Sequence, residues 1–154
     1  MGAQWYPDRV DPIPGTGAAS LRALLVETGE YLCALPVNQV RQVVRALPIH
    51  PLPGASPELL GLAEFTGEPI PVLDLGRLVG APPAARPANP VTVVVWAGPP
   101  HARELVGLAA DAALEIVEIA PADVAAAGPG LVGGEVALGG RPTCLLNLEA
   151  LGTA

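Results

Sequence analysis

The sequence predicts an all-β chain arranged as two small lobes, and three observations carry that prediction. Nineteen prolines and 18 glycines cut the 154 residues into short segments, which leaves no room for long helices. Between these breaks lie short runs of Val, Leu and Ile, several alternating with polar residues at the period of a strand. Residues 81–90 (APPAARPANP) then carry four prolines and read as an extended linker. That linker divides a first lobe, about 21–80, from a second, about 91–151. Hydrophobic residues make up 51% of the chain but aromatics only 3%, so the core must be built from Val, Leu, Ile and Ala.

Residues 1–20 show no periodicity and read as a flexible tail, in which the adjacent Trp5 and Tyr6 are candidates to dock on the body or on a partner. Leu21–Glu27, a turn at Thr28-Gly29-Glu30 and Tyr31–Val37 form a first hairpin. Tyr31, Cys33 and Leu35 would share one face of it, Leu32 and Ala34 the other. The spacing of Val37, Val40, Val43 and Val44 predicts a short helical or bulged turn feeding a strand. Pro48–Gly54 is a stiff loop. Ser56-Pro57-Glu58 reads as the start of one helical turn, stopped by Gly61.

The central hairpin follows over 61–75. Leu62, Glu64 and Thr66 alternate with Ala63 and Phe65, Gly67-Glu68 supplies the turn, and Ile70 and Val72 lie on the return. Pro69 and Pro71 lack ladder donors, which predicts a sheet edge or a bulge there. Leu75–Gly80 closes the hairpin with a helical turn. Val91–Ala97 is apolar on both faces and should be a central strand. Glu104–Asp111, Ile116–Ile119, Leu131–Leu138 and Thr143–Leu146 supply further strands, with a helical turn near 121–127, a Gly139-Gly140 corner and a short helix at Asn147–Leu151.

Chemistry is sparse. Net charge is −7, and all eight basic residues are Arg, so nothing could neutralise a row of phosphates or hold an anionic membrane. No apolar run approaches the roughly 18–20 residues that span a bilayer, and no leader pattern opens the chain; the expectation is a cytoplasmic protein with no membrane insertion. Cys33 and Cys144 sit in apolar runs as small hydrophobes. His50 and His101 lie in Pro-rich turns without zinc-ligand spacing. Ser20 and Ser56, the two serines, sit in no nucleophile elbow. Asp74 and Asp111 each end an apolar strand, where a carboxylate accepts N–H bonds from the following turn. No catalytic residue, metal site or cofactor is predicted, which leaves a surface for partners.

Gly61, Gly67, Pro71, Val72, Asp74 and Leu75 reproduce the central hairpin of the CheW-like domain, found in chemotaxis coupling proteins and in chemotaxis histidine kinases, and the chain resembles that family over about 21–151. Two departures fall inside the hairpin: Glu64 stands where the family usually has Asn, and Thr66 where it has Arg. Gln42 replaces a usual acidic residue, and Arg41 and Arg45 add positive charge beside it. The resemblance implies two five-stranded SH3-like β-barrels packed on a shared core. It also implies a non-catalytic adaptor between a chemoreceptor cytoplasmic tip and the regulatory domain of a CheA-type histidine kinase, recruited to a membrane-associated or cytoplasmic receptor array. Val37, Val40, Gln42, Val43, Glu64, Phe65, Thr66 and Gly67 are the candidate partner-binding residues. Because Thr66 has neither the charge nor the forked donors of Arg, a second reading is a relative that binds only the kinase or another CheW-like domain. A small-molecule-binding β-barrel is the third.

Overall fold

The computed structural model describes residues 20–82, 90–128 and 130–151. Trp5, Tyr6 and most of the 81–90 segment lie outside these residues. Eleven strands form two sheets. The strands are β1 (Leu21–Thr28), β2 (Tyr31–Pro36), β3 (Val40–Arg45), β4 (Leu59–Phe65), β5 (Glu68–Asp74), β6 (Val91–Ala97), β7 (Glu104–Ala110), β8 (Ala112–Ile119), β9 (Ala125–Ala126), β10 (Val132–Leu138) and β11 (Arg141–Leu146). One short helix, α1 (Leu75–Leu78), and 3₁₀ turns at Val37–Gln39, Pro121–Asp123 and Leu148–Ala150 complete the elements. The six-stranded sheet has the order β8-β1-β2-β11-β10-β9 and the five-stranded sheet β3-β6-β7-β5-β4.

The sheets do not follow the lobes expected from the chain. β1 and β2, from before the linker, pair with β8–β11 from after it, while β3–β5 join β6 and β7. Each sequence half is therefore divided between both sheets. The physical reason lies in β2 and β5. Leu32–Leu35 are buried, which leaves their backbone N–H and C=O groups no water to bond, so β2 needs a strand on each side: β1 on one, and β11 in parallel register (Thr143–Leu145) on the other. β5 likewise pairs in parallel with β7 through Val72–Asp74.

That parallel pairing also corrects the expectation for Pro69 and Pro71. β5 is an interior strand, but its contact with β7 begins at Val72, after both prolines. The proline-bearing half faces only β4, where Pro69 lies opposite Glu64 and Pro71 opposite Leu62. Ser56 starts no helix; Leu59 N donates to Ser56 O at 3.0 Å in a single turn, and β4 begins there. Gly61 lies within β4 at φ +152, where a Cβ would collide with the His50 carbonyl. His50 and Leu62 exchange backbone bonds of 2.7 and 2.9 Å, so the outer edge of β4 is partly covered.

The main core lies between the sheets. Val26, Cys33, Leu35 and Leu146 project into it from the six-stranded sheet, and Val93, Val95 and Leu108 from the five-stranded one, with Leu75 and Leu148 closing the ends. Smaller clusters fill the other face of each sheet: Ala23, Ala34, Ile119 and Val136 in one, Phe65, Ile70 and Val94 in the other.

Polar bonds fix the crossovers between sheets. Asp111 stands between β7 and β8; its carboxylate accepts from Gly29 N at 2.8 Å, and its own N–H donates to Glu27 O at 2.9 Å. The side chain thus reaches the β1–β2 turn rather than the turn that follows it. Asp74 behaves as the sequence suggests, accepting from Gly76 N at 3.1 Å to cap α1. A hydrogen bond from a backbone donor to a charged acceptor contributes about 1.5–3 kcal/mol. Asp111→Ala is therefore expected to lower unfolding free energy by about that amount in urea melts, and Asp111→Asn, which keeps an acceptor oxygen, by less.

Candidate functional site

The chain builds its most distinctive surface where the edges of the two sheets meet the shared core. β8 touches β6 across the seam and β1 touches β7. The strand orders therefore run in step, and the edge strands β8 and β3 lie on the same side of the seam. Directly opposed residues of an antiparallel pair project to the same face. Val43 lies opposite Val93, a residue of the shared core, and Ile116 lies opposite Leu24, which packs on that core. Val43 and Ile116 thus stand on the faces turned toward the seam, one on each outermost strand. Leu114 is the unpaired residue of a bulge in β8; with Glu115 it stands opposite Leu25, on the face turned away from the seam.

These side chains are uncovered. Val43 is 38% exposed, Leu114 47% and Ile116 51%, and among the described residues only Leu52 joins them as an exposed large apolar side chain. Charges of opposite sign share the seam faces with Val43 and Ile116: Arg45, opposite Val91 of the shared core, on β3, and Glu118, opposite Arg22, on β8. The result is an apolar rim on the seam with a basic lip and an acidic lip.

The candidate residues read from the sequence fall into two groups. Val37, in the 3₁₀ turn, and Val40, at the start of β3, are half-buried, and Val40 packs on the shared core. Gln42 and Val43 are exposed on β3. Glu64, Thr66 and Gly67 are exposed at the far end of the β4–β5 hairpin. β3 and β4 are opposite edges in strand order, yet the sheet curls enough to connect them: the Arg41 guanidinium lies 5.6 Å from the centroid of the Phe65 ring. Phe65 itself is only 6% exposed and packs with Ile70, Val94, Val44 and Leu105. Its place as a surface anchor is corrected to a core residue, because its face of β4 is the concave one.

The hairpin turn also differs from the sequence reading. Phe65 pairs with Glu68, so the two loop residues are Thr66 and Gly67, at φ 51 and φ 86. Two positive φ values define a type I′ turn, which fits the strand twist but suits Asn and Gly. Thr66 is β-branched and tolerates this region poorly; its hydroxyl donates to Phe65 O at 2.6 Å. Thr66→Asn is expected to raise stability by about 1 kcal/mol in urea denaturation, the order of the left-handed penalty it relieves.

Ile116 is the site residue that the sequence reading did not single out. Its signal was present in Leu-Glu-Ile-Val-Glu over 114–118, but an apolar side chain on an edge strand cannot be told from a core residue by periodicity alone.

The cysteines are free and sit side by side, Cys144 opposite Cys33 in the parallel β2–β11 register. Burial, and secondarily Cys144, pushes the Cys33 thiol up from its ordinary 9.0 to about 12; burial, then Glu135, raises Cys144. Both are protonated at neutral pH, the unreactive form. Since the folded pKa of Cys33 exceeds the unfolded one, its contribution to stability is complete below about pH 9 and is lost as pH rises from there toward 12. With no lysine to titrate in that window, urea midpoints should fall between pH 8 and 10.5, and Cys33→Val should flatten much of that slope.

Among the described residues, no group of three or more His, Cys, Asp or Glu could hold a metal ion, and no helix is long and apolar enough to cross a membrane. Two interlocked sheets, a shared core and an exposed apolar seam define an interaction domain. The chain belongs to the CheW-like domain family, whose description matches residues 22–154. Among solved structures it is similar to the crystal structure of the scaffolding protein TtCheW from Thermoanaerobacter tengcongensis, with a TM-score of 0.73 at 20% identity over 84% of this chain and 90% of that one. No curated protein matches it. The family fold is two SH3-like β-barrel units, here seen as one five-stranded and one six-stranded sheet, the extra strand being the two-residue β9. Membership places the chain among chemotaxis-type scaffold and adaptor domains.

Proposed function

We propose that this protein is a non-catalytic adaptor in a chemosensory pathway, coupling the cytoplasmic tip of a chemoreceptor to the regulatory domain of a CheA-type histidine kinase in the cytoplasm. The observation that carries this reading is the pair of exposed apolar side chains on the seam faces of the two outermost strands, Val43 on β3 and Ile116 on β8. Helices dock into such grooves by inserting an apolar stripe between two walls, and a receptor tip is a helical hairpin. The acidic and basic lips would set orientation and partner choice.

Thr66 supports a second reading, in which the protein engages only the kinase or another CheW-like domain. A short neutral side chain stands at the hairpin tip where the family resemblance leads one to expect the charged fork of Arg.

A two-partner titration separates the readings. The purified protein is offered separately to the cognate receptor tip and the cognate kinase regulatory domain. Binding to both supports the coupling role, binding to the kinase alone supports the second reading, and binding to neither overturns both. Under the coupling role, Ile116→Asp is expected to weaken receptor binding about tenfold or more, equivalent to about 1.4 kcal/mol per decade, and Thr66→Arg to strengthen it.

A further inference from the structure

We propose that a cleft at one end of the six-stranded sheet binds a small organic cation that also carries an amide, the chemistry of an amino-acid amide or of a free peptide N-terminus. The cleft forms where β2 and β11 part. Their parallel register sets Thr143–Leu145 against Leu32–Ala34 and stops there. Beyond it β2 runs through Pro36 into the 3₁₀ turn Val37–Gln39, and β11 runs through Leu146 and Asn147 into the turn Leu148–Ala150. The diverging chains border a cavity of about 330 Å³, at the lower end of the size range of small-molecule sites. It is separate from the seam rim: Leu21 and Leu145, on its walls, pack with Ala23 and Ala34 on the other face of the sheet.

Gln39 carries the inference. It is 7% exposed and lines the cleft, and among the described residues its side-chain amide has no hydrogen-bond partner. The large majority of buried side-chain polar groups are paired, so an unpaired one on a cavity wall points to a group from outside the chain. An amide offers both donors and an acceptor, and a second amide matches both. Asn147 adds another such group at the mouth. Its Oδ1 accepts from Glu149 N at 3.2 Å, which leaves its NH₂ group to donate to a ligand carbonyl.

Charge and shape define the rest of the ligand. Among the described residues Glu149 is the one charged side chain on the lining, and it is exposed at the mouth with no Arg beside it on the wall. A carboxylate there, on a chain of net charge −7, favours a cation and repels an anion. Leu21, Pro36 and Leu145 give the lining half-buried apolar surface for a short hydrocarbon branch. Ammonium, amide and a short apolar branch occur together in an amino-acid amide and at the first residue of a peptide. The assignment stands apart from the adaptor role and needs neither receptor nor kinase.

The test uses the full chain and follows the side-chain amides of Gln39 and Asn147 in proton–nitrogen correlation spectra. At about pH 6.5 the ammonium group of L-leucinamide is protonated, and this probe is expected to shift both amides saturably. N-acetyl-leucinamide, which lacks the charge, and isopentylamine, which lacks the amide, should each bind about tenfold more weakly or worse. Tighter binding of the peptide Leu-Gly-Gly-amide than of leucinamide identifies the source as a peptide or protein N-terminus; the reverse order identifies a free amino-acid derivative. Glu149→Gln should weaken leucinamide about threefold, the scale of one exposed ion pair, and leave N-acetyl-leucinamide unchanged. Gln39→Leu, followed at Asn147, should abolish leucinamide binding and leave the urea midpoint at or above that of the wild type, because it removes a buried amide that lacks a partner. A lower midpoint overturns the proposal, since Gln39 would then serve the fold, and so does undiminished binding by that variant. Unmoved Gln39 and Asn147 resonances at the solubility limit of leucinamide, or equal binding of the charged, uncharged and amide-free probes, overturn it as well.

Discussion

The structure depends on one layer of apolar contacts, the core between the two sheets. Each sheet is too small to bury its apolar residues alone, and each has two apolar faces. Val93 and Val95 need cover on the side opposite Val94, and Cys33 and Leu35 on the side opposite Ala34. Packing the sheets together covers both sets at once. The chain then weaves between them, so that neither sheet can form from a contiguous half of the sequence. Asp111 sits at one of these crossings and ties it to the β1–β2 turn, while the bond from Gly98 N to Leu148 O ties the β6–β7 turn to the 3₁₀ turn after β11.

The interlock has consequences for the edges. A sheet closed on itself would have none, but β3 and β8 remain outermost, both flanking the seam. On the five-stranded sheet the curl brings Arg41 of β3 over the ring of Phe65 at the end of β4. Packing of Phe65 against Val44, Val94 and Leu105 makes that curl part of the core. The hairpin tip is therefore held at a fixed place relative to β3. A substitution at Thr66 acts on a rigid corner, and its exposed side chain is presented in a defined direction.

Much of this was legible in the sequence. The hairpin at Leu21–Pro36, the 3₁₀ turn and bulge leading into β3, the alternation of Ala63 and Phe65, and the strand at Val91–Ala97 all follow from local patterns of punctuation and periodicity. What was not legible is long-range. Nothing local in Leu32–Leu35 says that its second neighbour is Thr143–Leu145, more than a hundred residues away, and so the lobes were assigned by proximity along the chain. Pro69 and Pro71 argued for an edge strand because the sequence does not reveal that a parallel neighbour can start one residue beyond a proline. The site followed the same division. Val40, Gln42 and Val43 could be singled out from one strand, whereas the matching wall at Ile116 depends on how the two sheets stack. Phe65 was misplaced for the same reason, since the side on which a curled sheet is concave is a tertiary property.

The character of the two free edges narrows what can bind there. An exposed strand edge invites another strand unless something spoils the ladder. β3 carries a bulge at Arg41 and a second Arg at 45; β8 carries a bulge at Leu114 together with Glu115 and Glu118. β4 is partly capped by the His50 bridge, and β9 is only two residues long. Each edge is thus protected against backbone pairing, by charge, by irregular register or by lack of length. The side chains facing the seam are not protected: Val43 and Ile116 stay apolar and exposed. A surface that resists added strands but offers apolar side chains on two walls selects partners by side-chain packing. A helix, whose backbone bonds are already satisfied internally, meets that requirement. A bare β-strand does not.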